Sequence, residues 1–337
     1  MGYFVEVFRG MGQVVFCNNS FSGILIAAAL FAGDAQTGTL ALLGCSSATA
    51  LAKLLGQSPQ NVESGLAGYN GALVGCALSV FEPGLGLWAN LATQLGSPWM
   101  APLGTAALTV VLGAATAPLA AALGPRMAPV PQWTIAFNLT VLAVLAFFAL
   151  AEGKKAPPPP PEKKALDLGA WFNRPGMPVD LLEMTLQGVS QIFVVQNGFA
   201  GLMILAGIFC YSPAAAGLTF AGSLLGNLTA MFSGCDMEEV MDGLWGYNAA
   251  LTSLAVGIFF VPLGREYYAL ACAGAVAATG ATAVCKALLA KALLPPMTVP
   301  FCAVASGCFL LGNRLPGLKL ARTPVSPEIN HHAYHAF

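Results

Sequence analysis

Ala101 to Leu123 is a run of 23 residues without one charged side chain, and Tyr267 to Cys285 is another of 19. An α-helix needs ~20 apolar residues to cross the hydrocarbon layer of a bilayer, so such runs leave few places to fold other than lipid. Phe21 to Phe31 is a shorter apolar run of 11 that is expected to belong to a further span. Composition agrees: of 337 residues 57% are hydrophobic and 9% charged, with a mean hydropathy of +0.72, where a soluble domain is usually ~25% charged. Gly and Ala are abundant inside the runs, as close helix packing in lipid requires. A β-barrel would instead show ~10-residue alternating segments. The expected fold is an all-α polytopic membrane protein.

Net charge is −1, with no basic stripe of the kind nucleic-acid binding demands, so that class is set aside. The nine cysteines form no CxxC pair and mostly sit in apolar runs, which reads as packing rather than ligation or disulfides. His331, His332 and His335 all fall in the last seven residues and read as a solvated tail, so no metal site, cofactor or histidine proton relay is expected. Arg9 followed by apolar residues resembles a signal peptide, but the same motif recurs mid-chain and so belongs to the mature fold.

That recurrence is extensive. Gln13-Val-Val-Phe-Cys-Asn-Asn19 is answered by Gln191-Ile-Phe-Val-Val-Gln-Asn197, 178 positions on. At the same shift Gly65-Leu-Ala-Gly-Tyr-Asn70 meets Gly243-Leu-Trp-Gly-Tyr-Asn248, and Leu73 meets Leu251. A third pair, Val130-Pro-Gln-Trp-Thr-Ile-Ala-Phe137 and Leu294-Pro-Pro-Met-Thr-Val-Pro-Phe301, aligns at 164, which puts 14 extra residues in the first half; the irregular stretch 82–100 is the natural loop insertion. Between the halves, five prolines bracketed by lysine pairs form a solvated spacer. The expected division is a first membrane half at 1–151, a Pro/Lys-rich linker at 152–175, a second half at 176–315 and a polar tail at 316–337.

Each half reads as two full-length spans, a shorter segment carrying Gly-x-x-Gly-Tyr-Asn, a further span, and a last segment interrupted by its Pro-containing box. Short or broken apolar segments at matching positions point to a substrate site, because unwound backbone is tolerated in a membrane only where it lines a cavity. For orientation, the scattered set Arg9, Arg126, Arg265, Arg314, Lys319 and Arg322 is placed in the cytoplasm against the linker's own lysines.

Leu294-Pro-Pro-Met-Thr-Val-Pro-Phe301 resembles the Leu-Pro-x-x-Thr-x-Pro-Phe signature of the urea transporter family, and the Gln13 to Gly23 segment and both Gly-x-x-Gly-Tyr-Asn segments are similar to that family too. The first-half box departs from the signature with Val130 and Ala136, which is expected to weaken helix breaking there. The resemblance implies two inverted halves of five membrane helices, about ten in all, plus two re-entrant half-helices around a central pore. It also implies a homotrimer in the cytoplasmic membrane, a urea channel rather than an enzyme, and a slot with flat apolar walls edged by oxygens where the halves meet.

Urea is planar and neutral, with four N–H donors and one strong acceptor, so a lining must replace its bonds to water or incur ~1–3 kcal/mol per unsatisfied group. Carbonyls at broken helix ends offer acceptors without charge. Thr134 and Thr298 add hydroxyls. Gln13 and Gln191 bring amides shaped like urea itself. Phe16 and Val194, three residues after each Gln, are expected on the same helical face as flat walls, with Leu73 and Leu251, four residues after Tyr69 and Tyr247, opposing them. Each residue also has a packing reading: Phe and Leu usually pack or meet lipid, intramembrane Thr usually bonds its own helix, and Gln bonds between helices. Asn70, Asn248, Asn18, Asn19 and Asn197 read as caps for exposed backbone, and Asp236, Glu238 and Glu239 as a solvated loop. The repeated motifs contain no ionisable group of the kind that coupled transport needs. Passive, channel-like permeation of urea follows as the expectation, with a pore for ammonia, water or short amides, or an ion-coupled urea transporter, as alternatives.

Overall fold

The computed structural model describes residues 2–85, 88, 93–94, 96–97, 99–151, 168–312 and 314–336. The linker expected over 152–175 is outside the described residues through 167, and so is much of the loop insertion expected over 82–100. Among the described residues the regular structure is helical, apart from one isolated antiparallel bridge between Phe260 and Leu320. The chain divides into two compact units, Met1–Lys155 with Ala290–Pro295, and Ala156–Leu289 with Pro296–Phe337.

The first unit runs α1 (Tyr3–Gln13), α2 (Ser20–Gly33), α3 (Ala35–Leu54), α4 (Pro59–Glu63), α5 (Tyr69–Leu85), α6 (Met100–Met127) and α7 (Ile135–Ala151). After α8 (Leu168–Asn173), the second unit runs α9 (Met177–Ser190), a 3₁₀ turn (Gln191–Phe193), α10 (Gly198–Tyr211), α11 (Pro213–Phe232), α12 (Met237–Met241), α13 (Tyr247–Phe259), α14 (Arg265–Leu289), α15 (Val299–Leu311) and α16 (Pro327–His335). Helices α10, α11 and α12 start and end 178 positions after α2, α3 and α4. The caps repeat as well. Asn19 accepts from Phe21 and Ser22 N–H, and Asn197 accepts from Ala200 N–H. Asp34 and Ser212, again 178 apart, cap α3 and α11. The two capping asparagines thus behave as their sequence reading expected.

The first span of each half is not full length. α2 has 14 residues, a rise of roughly 21 Å against the ~30 Å of hydrocarbon. In the second unit α9 with its 3₁₀ turn meets α10 at a 73° bend. The break has a local cause. Phe16 and Val194 both sit in the left-handed region at φ 59°. Each closes a Schellman turn: Cys17 N–H donates to Gly12 C=O and Phe16 N–H to Gln13 C=O, and Val195 and Val194 do the same to Ser190 and Gln191. A left-handed β-branched Val costs energy that surrounding packing must offset. Phe16 and Val194 therefore leave the helix before they reach the face of their Gln, and the expected shared helical face does not form.

The close approaches are duplicated. A Cβ on Gly23 would lie 1.7 Å from Phe8 C=O, and one on Gly201 2.0 Å from Leu186 C=O, so α1 with α2 and α9 with α10 cross backbone to backbone. Among the described residues, Met100–Met127, Pro213–Phe232 and Arg265–Ala292 are long and apolar enough to cross a membrane alone, with the bent pair a fourth if counted as one span.

One pair of positions breaks the repetition. In the first unit Glu6, 2% exposed, pairs with Lys53 at 2.5 Å. The matching positions of the second unit hold Met184 and Met231, buried in a cluster with Ala230, Val240 and Trp245. An ion pair and an apolar pair thus fill the same place in two copies of one fold.

The expected solvated tail is instead docked on the second unit. Val261 N–H donates to Lys319 C=O and Ala321 N–H to Phe259 C=O. Asn330, 3% exposed, donates to Ile258 C=O at 2.7 Å. Glu328 accepts from Ser212 Oγ and Ala214 N–H at the start of α11. The three histidines do face outward.

Candidate functional site

Within each unit the three sequence motifs come together through side chains of the same kind. Gln13 Nε2 donates to Ser64 C=O at 2.9 Å, and Gln191 Nε2 to Asp242 C=O at 3.0 Å. Those carbonyls precede Gly65 and Gly243, both at positive φ, where a Cβ would lie 2.4 and 2.3 Å from Gly10 and Gly188 N, so only glycine lets the two backbones come this close. Tyr69 and Tyr247 then start α5 and α13. The Tyr69 hydroxyl donates to Trp133 C=O, and the Tyr247 hydroxyl to Met297 C=O at 2.7 Å. Asn70 Oδ1 accepts from Phe137 N–H and Asn248 Oδ1 from Phe301 N–H, so both asparagines hold backbone, as expected.

Trp133 and Met297 are themselves left-handed, at φ 49° and 46°. The first-half box is therefore broken just as the second is, and the departures Val130 and Ala136 do not weaken it. The tyrosine and asparagine bonds across from another helix supply what the missing signature residues do not. In the first unit the Phe16 ring also meets Trp133 edge-on at 6.1 Å, which places the Gln13 corner beside the residue before Thr134.

These bonds reassign several roles. The carbonyls of Trp133 and Met297 are occupied by tyrosine hydroxyls, so the acceptors expected from broken helix ends are not vacant at these two positions. A hydroxyl whose hydrogen is committed to a carbonyl presents lone pairs to whatever else it meets, so the acceptor character passes to Tyr69 and Tyr247 Oη. One N–H of each Gln is spent on holding a loop, which is the helix-to-loop form of the bonding alternative for Gln. Thr298 caps α15 by position and not through its hydroxyl. Thr134, Thr298, Leu73, Leu251, Tyr69 and Gln191 are all buried, which removes lipid contact as their role. Gln13, Phe16, Val194 and Tyr247 are half-buried.

Some relevant residues escaped the sequence reading. Gln132, two residues before Thr134, has a buried Oε1 with no hydrogen-bond partner, and its counterpart in the other half is Pro296, so duplication could not flag it. Glu6 was hidden for the same reason. The acidic loop is only partly solvated: Glu239 binds Lys286 and accepts from Trp245 Nε1, and Asp236 caps α12. Among the described residues no group of three or more His, Cys, Asp or Glu could hold a metal ion.

Apolar helices broken at matched points, with the same side chains bridging each break, define a membrane protein whose two units repeat one pattern. The chain belongs to the urea transporter family: the family model described as "Urea transporter" matches residues 4–313. It is similar to "Urea transporter 1" of Capra hircus, 29% identical over 335 residues that cover 96% of this chain and 81% of that protein. "Urea transporter 1" of Mus musculus is 29% identical over 324 residues, covering 95% and 79%.

Proposed function

We propose that the chain is a passive, channel-like conduit for urea across the cytoplasmic membrane, with Gln13, Phe16, Tyr69, Leu73 and Thr134 of one half and Gln191, Val194, Tyr247, Leu251 and Thr298 of the other as its lining. The observation that carries this reading is the duplicated tie of tyrosine hydroxyl to left-handed carbonyl next to a buried threonine. It sets uncharged oxygens beside apolar side chains at each break. Urea needs acceptors for its N–H groups and flat surfaces for its faces, whereas an ion would have to give up its hydration shell to a lining that carries no charge.

Passive conduction is favoured because no ionisable side chain is repeated at the breaks. Glu6 is buried, but it faces Lys53 and is replaced by Met184 in the other half. A buried carboxylate already neutralised by a partner is a poor carrier for a coupling proton. The further parts of the reading rest on family membership: ten crossings and two re-entrant half-helices, inverted halves, and assembly as a homotrimer. Stopped-flow permeability of proteoliposomes to urea, its analogues, ammonia and water tests the substrate. Urea flux well above that of empty vesicles supports the reading, and equal flux overturns it.

A further inference from the structure

The two glutamine corners are not held equally. In the second unit Asp242 is bound twice: its carbonyl accepts from Gln191 Nε2 at 3.0 Å and its carboxylate from Gln196 Nε2 at 2.6 Å. Gln196 lies two residues past left-handed Val194, in the short extended stretch before α10. A hydrogen bond to an ionised carboxylate is about twice as strong as a neutral one. The bond therefore ties the Val194 corner to the very residue that orients the Gln191 amide. In the first unit the matching residues are Asn18 and Ser64. Asn18 and Gln196 are both exposed, but Ser64 has no carboxylate to accept from Asn18 and its hydroxyl turns to Asn61 C=O at 3.2 Å, so no such tie exists there.

We infer that Asp242 and Gln196 form a latch, present in one half only, that positions Gln191 and Val194 and so sets how strictly the conduit selects urea over bulkier amides. This rests on the conduit reading above. Neither residue needs to touch solute; both act through the corner they hold. With the latch released, the Val194 corner and the Gln191 amide move apart, and the loss falls on discrimination before it falls on flux.

The test transplants the first half's residues into the second: Asp242→Ser, Gln196→Asn and both together, in the full chain reconstituted in proteoliposomes. Permeabilities to urea and to N-methylurea are measured beside the thermal stability of the detergent-solubilised protein. Each single variant is expected to raise the N-methylurea to urea ratio about threefold or more, since a methyl group is discriminated by roughly tenfold or better in a tight apolar site. The double variant should do no more than either single, because all three remove one bond. Asp242→Asn keeps a neutral, weaker acceptor for Gln196 and should shift the ratio less than Asp242→Ser does. An unchanged ratio with a lowered melting temperature assigns the pair to stability and overturns the latch, as do independent, multiplying effects. Wild-type protein that passes no urea overturns the conduit reading and the latch with it, whereas conduction with unchanged ratios overturns the latch alone.

Discussion

Thr298 stands at the point where chain geometry and solute chemistry meet. Left-handed Met297 precedes it, its carbonyl taken by Tyr247 and Asn248, and the threonine side chain is 4% exposed. Replacing Thr298 with Val keeps the volume and removes the hydroxyl, and the loss of one acceptor along the path is expected to lower urea permeability by roughly tenfold. Thr134→Val should behave alike, since Trp133 and Tyr69 reproduce the arrangement. Stopped-flow light scattering on folded, reconstituted variants checks both; unchanged flux would make the hydroxyls structural. The sequence carried these threonines, the tyrosines and the glutamines plainly, because duplication marks residues that both halves need. It was silent on how they are used. That Tyr69 and Tyr247 donate to carbonyls, and that the glutamines hold loops, depends on backbone turns at Phe16, Trp133, Val194 and Met297, where no glycine announces a left-handed residue.

At the scale of helices, repetition supplies its own controls. Glu6 with Lys53 and Met184 with Met231 occupy equivalent places, so the second unit already demonstrates that the fold accepts an apolar pair there. Lys53→Met alone strands a buried carboxylate and is expected to cost about 3 kcal/mol, the low end for a broken buried pair because Lys53 is 41% exposed. Adding Glu6→Met should restore stability to within about 1 kcal/mol of wild type. Thermal unfolding in detergent checks this, and a double variant no better than the single would contradict it. A second control lies at the starts of α3 and α11. Asp34 brings its own carboxylate to α3, whereas α11 has Ser212 and borrows the carboxylate of Glu328 from the tail. Glu328→Gln should loosen the tail, and Ser212→Asp should recover the charge at the start of α11 without the tail; hydrogen exchange over α11 reads both. Burial alone would raise the Glu328 carboxyl, but the bonds from Ala214 and Ser212 outweigh it and hold the group below the usual glutamate value. A carboxyl with a lowered folded value stabilises above its unfolded value and loses that contribution as pH falls through the folded one. Tail docking is thus expected to be intact at neutral pH and to weaken in acid, once pH falls below the ordinary glutamate value and through the lowered folded one, and protease sensitivity of the C-terminus against pH follows it. The repeated order of the segments and the caps at Asn19 and Asn197 were readable from the duplicated motifs; the caps at Asp34, Ser212 and Asp236 were not. The left-handed turn that makes the break in the first span was not, because it falls on Phe16 and Val194, apolar residues of a kind that does not announce a positive φ, although Asn19 and Asn197 mark where the next helix starts. Nor was the docked tail, whose polar composition suits solvent as well as it suits helix ends.

For the molecule as a whole, the account joins a duplicated scaffold to passive movement of a neutral solute. The side chains that repeat at the breaks are uncharged: the Gln corners, the Tyr and Asn ties and the Thr hydroxyls. Glu6 with Lys53, Glu239 with Lys286, and Asp242 with Gln196 each occur in one half without a charged counterpart at the matching positions. A machine that coupled urea to an ion gradient would need an acidic or basic group in its working motifs, and the motifs repeated in the two halves contain none. The most direct test is isotopic urea uptake into proteoliposomes holding the purified protein, measured with imposed proton or sodium gradients and without them. The account predicts uptake that runs down the urea gradient at the same rate in every case and stops when the urea concentrations are equal; uptake that requires a gradient of either ion, or that concentrates urea against its own gradient, would contradict it.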